Sequence, residues 1–104
     1  MSIRVLRRPQ AVRDIEECFV YIGSDNLNAA FAFLDAVETA FSLLSENPAI
    51  GVIREFPHSR LEGLRMWTIG GFDAYEIFYL AGKDTIDVLT GAPFSERCSK
   101  LVQY

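Results

Sequence analysis

Leu61 to Leu80 holds two runs rich in β-branched and aromatic residues that meet at Gly70-Gly71. Glycines can supply positive φ at both central positions of a tight turn, so this pair between apolar runs predicts a β-hairpin. A second turn, Ala81-Gly82-Lys83-Asp84, leads into Thr85-Ile86-Asp87-Val88-Leu89, where Ile86 and Val88 share one face and Asp87 lies opposite. The expected product is a three-stranded antiparallel meander with one apolar face that needs a cover.

The cover comes from the residues before it. Ile3-Arg4-Val5-Leu6 reads as a first short strand, ended by Arg7-Arg8-Pro9, and proline suits the first turn of a following helix. Val12, Ile15, Phe19 and Ile22 recur at spacings of three and four, which predicts one helical stripe with Arg13, Asp14, Glu16 and Glu17 away from it. Gly23-Ser24 ends that helix, and Asp25 or Asn26 can cap a second. The second stripe is Ala30, Phe33 or Leu34, Val37, Phe41 and Leu44, and Asn47-Pro48 stops it. So short a link makes the helices antiparallel neighbours, and their shared apolar surface is expected to pack on the sheet. Residues 49–60 read as an irregular connection with a short extended piece around Val52 and Ile53. Ser95 to Val102 reads as a short last helix with Phe94, Cys98 and Leu101 on one side. The fold class expected is α+β, a helical hairpin on a small antiparallel sheet in the order β-α-α-β-β-β, as a single domain over residues 1–104.

Composition narrows the function. With 104 residues, half of them hydrophobic, the chain can bury a core without metal or disulfide help. A net charge of -4 and a pI near 4.9 argue against broad nucleic-acid binding, which needs clustered Lys and Arg. No apolar run reads as a membrane span, and the charged start does not resemble a secretory peptide, so a cytoplasmic protein is expected. Cys18 and Cys98 are too few and too far apart in sequence for a zinc signature or a disulfide framework, and read as small buried or half-buried thiols. His58 is the only histidine and reads as an exposed loop residue. Ser95-Glu96 and the other hydroxyls have no base beside them in sequence, and Asp84 and Asp87 are explained as solvent-facing, so no catalytic residue, metal or cofactor is assigned.

One ordered set of residues carries a resemblance: Tyr21-Ile22, Asp25-Asn26, Ala29-Ala30, Phe33-Leu34, Asn47-Pro48 with Gly51, Leu64-Arg65, and Phe72 with Tyr75, Ile77, Phe78 and Tyr79. In that order and spacing, from Pro9 to Leu101, the chain resembles the ParE toxins of the ParE/RelE superfamily. The resemblance implies the same strand, two helices and strands. It also implies the toxin of a bacterial type II toxin–antitoxin system, of the plasmid-stabilising kind, that binds DNA gyrase and is neutralised by a cognate antitoxin, in a heterotetramer or higher complex. The family usually reads Val-Leu-His-Gly-Ala-Arg-Asp after the last strand, where this chain has Val88-Leu89-Thr90-Gly91-Ala92-Pro93-Phe94. Thr90, Pro93 and Phe94 therefore stand where His, Arg and Asp are usual, a departure that bears on the target and on toxicity rather than on the fold.

Two alternatives stay open. RelE-like relatives resemble ribosome-dependent mRNA endoribonucleases, whose chemistry needs several cations converging on one phosphate, and this chain has only Lys83 and Lys100 as lysines. A toxin-fold remnant serving as a non-toxic binding module is the other. Arg54, Arg60, Arg65 and Arg97 are the candidate target-binding cations. Arg65 is weighed equally as the family's functional cation and as a strand residue paired with Glu76 across the hairpin. Trp67, Tyr75, Tyr79, Phe94 and Leu101 are the candidate antitoxin contacts. Trp67 and Arg65 share a face, with Tyr75, Ile77 and Tyr79 on the neighbouring strand. If the helices cover the other face, this one is an apolar patch for an antitoxin; if they cover this one, Met66, Thr68, Ala74, Glu76 and Phe78 point outward. Arg4, Arg7, Arg8 and Arg13 form the densest positive region, offset by Asp14, Glu16 and Glu17, and a partner binding there would be acidic.

Overall fold

Strand β1 (Arg4–Arg7), helices α1 (Pro9–Gly23) and α2 (Leu27–Glu46), and strands β2 (Val52–Ile53), β3 (Arg65–Ile69), β4 (Phe72–Ala81) and β5 (Thr85–Pro93) follow in chain order. They are seen in a computed structural model that describes residues 3–55 and 61–93. The expected last helix, together with His58, Arg60, Phe94, Arg97, Cys98 and Leu101, lies outside the described residues.

Local chemistry accounts for the helix ends. Pro9 opens α1, where its fixed φ fits and its missing N–H leaves no helix bond unmade. Asn26, rather than Asp25, caps α2: its side-chain oxygen accepts from the Ala29 N–H at 3.0 Å. The α2 stripe is as expected, with Ala30, Phe33, Val37, Phe41 and Leu44 buried. The α1 stripe is turned from its expected position. Ala11, Asp14, Ile15 and Cys18 are buried, while Val12 is exposed. Asp14 draws this face inward because it finds donors there, from Gln10 Nε2 at 2.7 Å, the Thr90 hydroxyl and the Gly91 N–H. A carboxylate held by several donors is tolerated in an interior that an unpaired one is not.

The sheet has the order β1-β5-β4-β3-β2. Strands β2 to β5 are antiparallel, and β1 lies parallel to β5 with Val5 opposite Ile86, so the sheet is mixed rather than wholly antiparallel. The parallel pair is possible because two whole helices supply the crossover between β1 and the meander. The hairpin strand begins at Arg65, not Leu61, because Gly63 at φ +82° turns the chain just before it. At the hairpin tip only Gly71 takes positive φ. Strand β5 continues past Leu89 to Pro93, pairing Ala92 with Glu76. A register shift at Phe78/Tyr79 lets it do so: Phe78 faces Thr90 and Tyr79 faces Val88, with Leu89 as the extra residue.

The helical hairpin covers the face bearing Ile69, Ile77, Tyr79, Ile86 and Val88. Burying Phe33, Val37, Phe41 and Leu44 against it contributes about 1.5 to 3 kcal/mol per side chain. The opposite face is not the polar surface that this arrangement implied. Met66 and Phe78 are buried there with Leu61, Leu64 and Leu89, and Glu76 is buried too. Helix α2, 20 residues long with an 18-residue stretch of mean hydropathy 1.4, is long and apolar enough to cross a membrane. Its inner stripe packs on the sheet and Asp35 and Glu38 interrupt its outer side, which marks a core helix.

Candidate interaction surface

Arg65 and Tyr79 stand opposite each other on β3 and β4 and hold the loop that follows α2. The Tyr79 hydroxyl donates to the Pro48 carbonyl at 2.8 Å and accepts from the Gly51 N–H at 2.9 Å. Arg65 Nη1 donates to the carbonyls of Ala49, at 3.1 Å, and Gly51, at 2.8 Å. Burial of the Tyr79 ring pushes its hydroxyl above the ordinary pKa of 10.0, against smaller opposing effects of the Gly51 bond and the Arg65 charge. The Arg65–Glu76 pair, one of the two readings of Arg65, does not form, since Glu76 is in register with Thr68 and strand alternation sends it to the other face. Arg65 instead anchors a loop to the sheet.

Three of the arginines at the start of the chain, Arg7, Arg8 and Arg13, also have partners, though not those expected. Arg7 meets Glu38 of α2 through Nη2 at 2.7 Å, with its guanidinium 4.4 Å from the centre of the Phe41 ring. Arg8 grips Asp87 of β5 with two bonds, at 2.7 and 2.9 Å. Both pairs are solvent-accessible, so each stabilises by about 0 to 1 kcal/mol and serves mainly to tie β1 to its neighbours. Arg13 donates to Gln10. Asp14, expected to offset this cluster from the surface, lies buried beneath it with Thr90.

The expected antitoxin contacts fare differently. Tyr79 is fully buried, so it offers no surface to a partner. Trp67 and Tyr75 are half-buried under the helices, and the Tyr75 ring lies 5.1 Å from that of Phe33. Among the expected target-binding cations, Arg54 is exposed directly after β2. Two exposed apolar groups were missed. One is the sheet edge, where Val52 and Ile53 are 55% and 57% exposed beside Ile50. The other is the hairpin end, with Val20, Tyr21, Leu27 and Phe31. The available signal was that Val20 and Tyr21 fall outside the periodic stripe of their helix, as Leu27 and Phe31 do in theirs.

Residues 5–90, from β1 into β5, match the family described as ParE toxin of type II toxin-antitoxin system, parDE. The chain belongs to the ParE toxin family. Its fold is similar to that of a solved chain titled as the chromosomal ParDE TA system from P. aeruginosa, with a TM-score of 0.71 at 14% identity. The alignment covers 88% of this chain and 96% of the other, and at that identity the likeness is one of fold. Among curated proteins, none matches the sequence. Within this ParE fold, Thr90 occupies an interior position, its hydroxyl bonded to Asp14 of α1.

Proposed function

We propose that this ParE-family chain is a toxin that acts by binding a protein target, DNA gyrase, and is neutralised by a cognate antitoxin whose extended segment adds to the sheet beside β2. The observation that supports the antitoxin seat is the edge itself, and the target follows from the family alone. Among the described residues strand β2 ends the sheet order, and Val52 and Ile53 are exposed on it with Arg54 next in line. An edge strand offers backbone N–H and C=O groups to an added strand, the apolar side chains add burial, and Arg54 suits an acidic partner. Arg65, Tyr79, Arg7 and Arg8 favour binding over phosphoryl chemistry, because each is engaged in holding the fold. A nuclease of the RelE kind needs such groups turned toward a substrate phosphate.

Inducing the chain alone in a bacterial host is expected to stop growth, and the purified protein to inhibit gyrase supercoiling while primer extension on translated messages shows no codon-linked cuts. Co-expressed antitoxin restores both. Normal growth with untouched supercoiling would sink the gyrase target. The pair Val52→Asp and Ile53→Asp is expected to weaken antitoxin binding at least about tenfold, a loss typical of disrupting a small apolar anchor.

A further inference from the structure

Backbone parity restricts what can be added beside β2. The Arg54 N–H donates to the Leu64 carbonyl at 2.8 Å, and β2 runs antiparallel to β3 with Val52 opposite Met66 and Ile53 opposite Arg65. Bonded and non-bonded pairs alternate along such a ladder, so Val52 and Arg54 turn their N–H and C=O toward β3 while Ile53 turns both outward. Gly51 has the parity of Ile53 but is used inward. Its N–H donates to the Tyr79 hydroxyl at 2.9 Å and its carbonyl accepts from Arg65 Nη1 at 2.8 Å. The outward ladder of β2 therefore starts at Ile53. Side chains alternate as well: Val52 and Arg54 lie on one face, Ile53 and Glu55 on the other, and all four are exposed.

We propose that this edge takes an antiparallel antitoxin segment that reads, from its N-terminal end, basic, acidic, apolar, apolar, with the first apolar residue opposite Ile53. This rests on the antitoxin seat beside β2 and adds its direction, register and sequence. An antiparallel partner closes both Ile53 bonds on one residue, whereas a parallel strand needs two residues and slanted bonds. Running against β2, the segment sets its basic residue opposite Glu55, its acid opposite Arg54, and its apolar pair opposite Ile53 and Val52. Cross-strand pairs of opposite charge and of apolar side chains both stabilise a ladder. A second copy of β2 fits worse. Pairing Ile53 with Ile53 about a twofold sets each Val52 against an Arg54 and leaves that cation without an acid.

NMR on the isotope-labelled full-length chain tests it with the capped peptide Thr-Lys-Glu-Val-Ile-Thr, in which Val faces Ile53. Saturating peptide is expected to slow amide exchange at Ile53 at least about tenfold, while Arg54, already bonded to Leu64, changes by less than about twofold. Methylating the Val nitrogen removes the donor to the Ile53 carbonyl and weakens binding at least about tenfold. Methylating the Glu nitrogen, which points away from β2, changes it by less than about twofold. The reversed sequence, and the chain carrying Val52→Asp with Ile53→Asp, each lose at least about tenfold. No shift at millimolar peptide, equal binding of the reversed sequence, equal effects of the two methylations, or protection at Val52 in place of Ile53 overturns the proposal. If antitoxin binding still falls in the Val52→Asp and Ile53→Asp chain, the seat itself survives that result; antitoxin binding indifferent to those changes overturns both. A concentration-dependent dimer of the free chain that protects Ile53 also overturns the proposal, by assigning the edge to a second copy.

Discussion

The Tyr79 hydroxyl fills the space in which Gly51 has no side chain. A Cβ on Gly51 would lie 2.8 Å from Tyr79 Cε1 and 2.9 Å from Cζ, and closer still to the hydroxyl. Glycine is required by this approach and not by its backbone angles, since positive φ occurs only at Gly63 and Gly71 among the described residues. Gly51→Ala is therefore expected to lower stability by about 2 to 4 kcal/mol, through overpacking and loss of the two hydroxyl bonds. Tyr79→Phe keeps the ring and leaves the Pro48 carbonyl and Gly51 N–H without their partner, at a cost of about 1 to 3 kcal/mol. Urea denaturation of the two variants measures both.

The same tyrosine gives stability an alkaline limit. Its folded pKa is raised above 10.0 chiefly by burial, so folding favours the neutral phenol. That contribution is fully present below the unfolded value and is lost as pH rises through the folded one. Melting temperature is expected to fall with a steeper slope above about pH 10 in the parent than in Tyr79→Phe. Equal slopes would remove Tyr79 as the cause.

Arg65 and Arg54 are expected to separate structure from binding. Arg65→Ala releases the Ala49 and Gly51 carbonyls and lowers stability by about 1 to 2 kcal/mol. Arg54→Ala, at an exposed position, changes stability by no more than about 0.5 kcal/mol and weakens antitoxin binding, above all at low salt. Denaturation and titration calorimetry on both variants distinguish the roles.

Asp14 and Thr90 join α1 to β5 inside the core. Thr90→Val keeps the shape and removes a donor from a buried carboxylate, which is expected to destabilise the fold by about 1 to 3 kcal/mol. Thr90→Ser keeps the hydroxyl and loses only a methyl group, so denaturation midpoints should rank it between the parent and Thr90→Val.

Much of the fold was legible because it rests on local signals. Pro9, Asn26 and Asn47-Pro48 mark helix ends through backbone chemistry that needs no tertiary contact, and the α2 stripe has only apolar candidates for its inner face. The α1 stripe was misplaced by one side chain. Periodicity sends a carboxylate to water, and nothing near Asp14 in sequence announces the hydroxyl and N–H waiting 76 and 77 residues later. The Glu76 pairing weighed for Arg65 fails for a related reason. The partners of Arg65 are backbone carbonyls, which every residue has and no sequence pattern advertises.

From the order of residues alone came the α+β class, the helical hairpin and the meander, since periodicity, caps and turn glycines act over a few residues. Tertiary structure decided the parallel seat of β1, the sheet face taken by the helices, and hence the burial of Tyr79 and the exposure of Val52 and Ile53. Both faces of the meander are apolar enough to be covered, so its alternation could not choose between them; the choice lay in how distant side chains fit together.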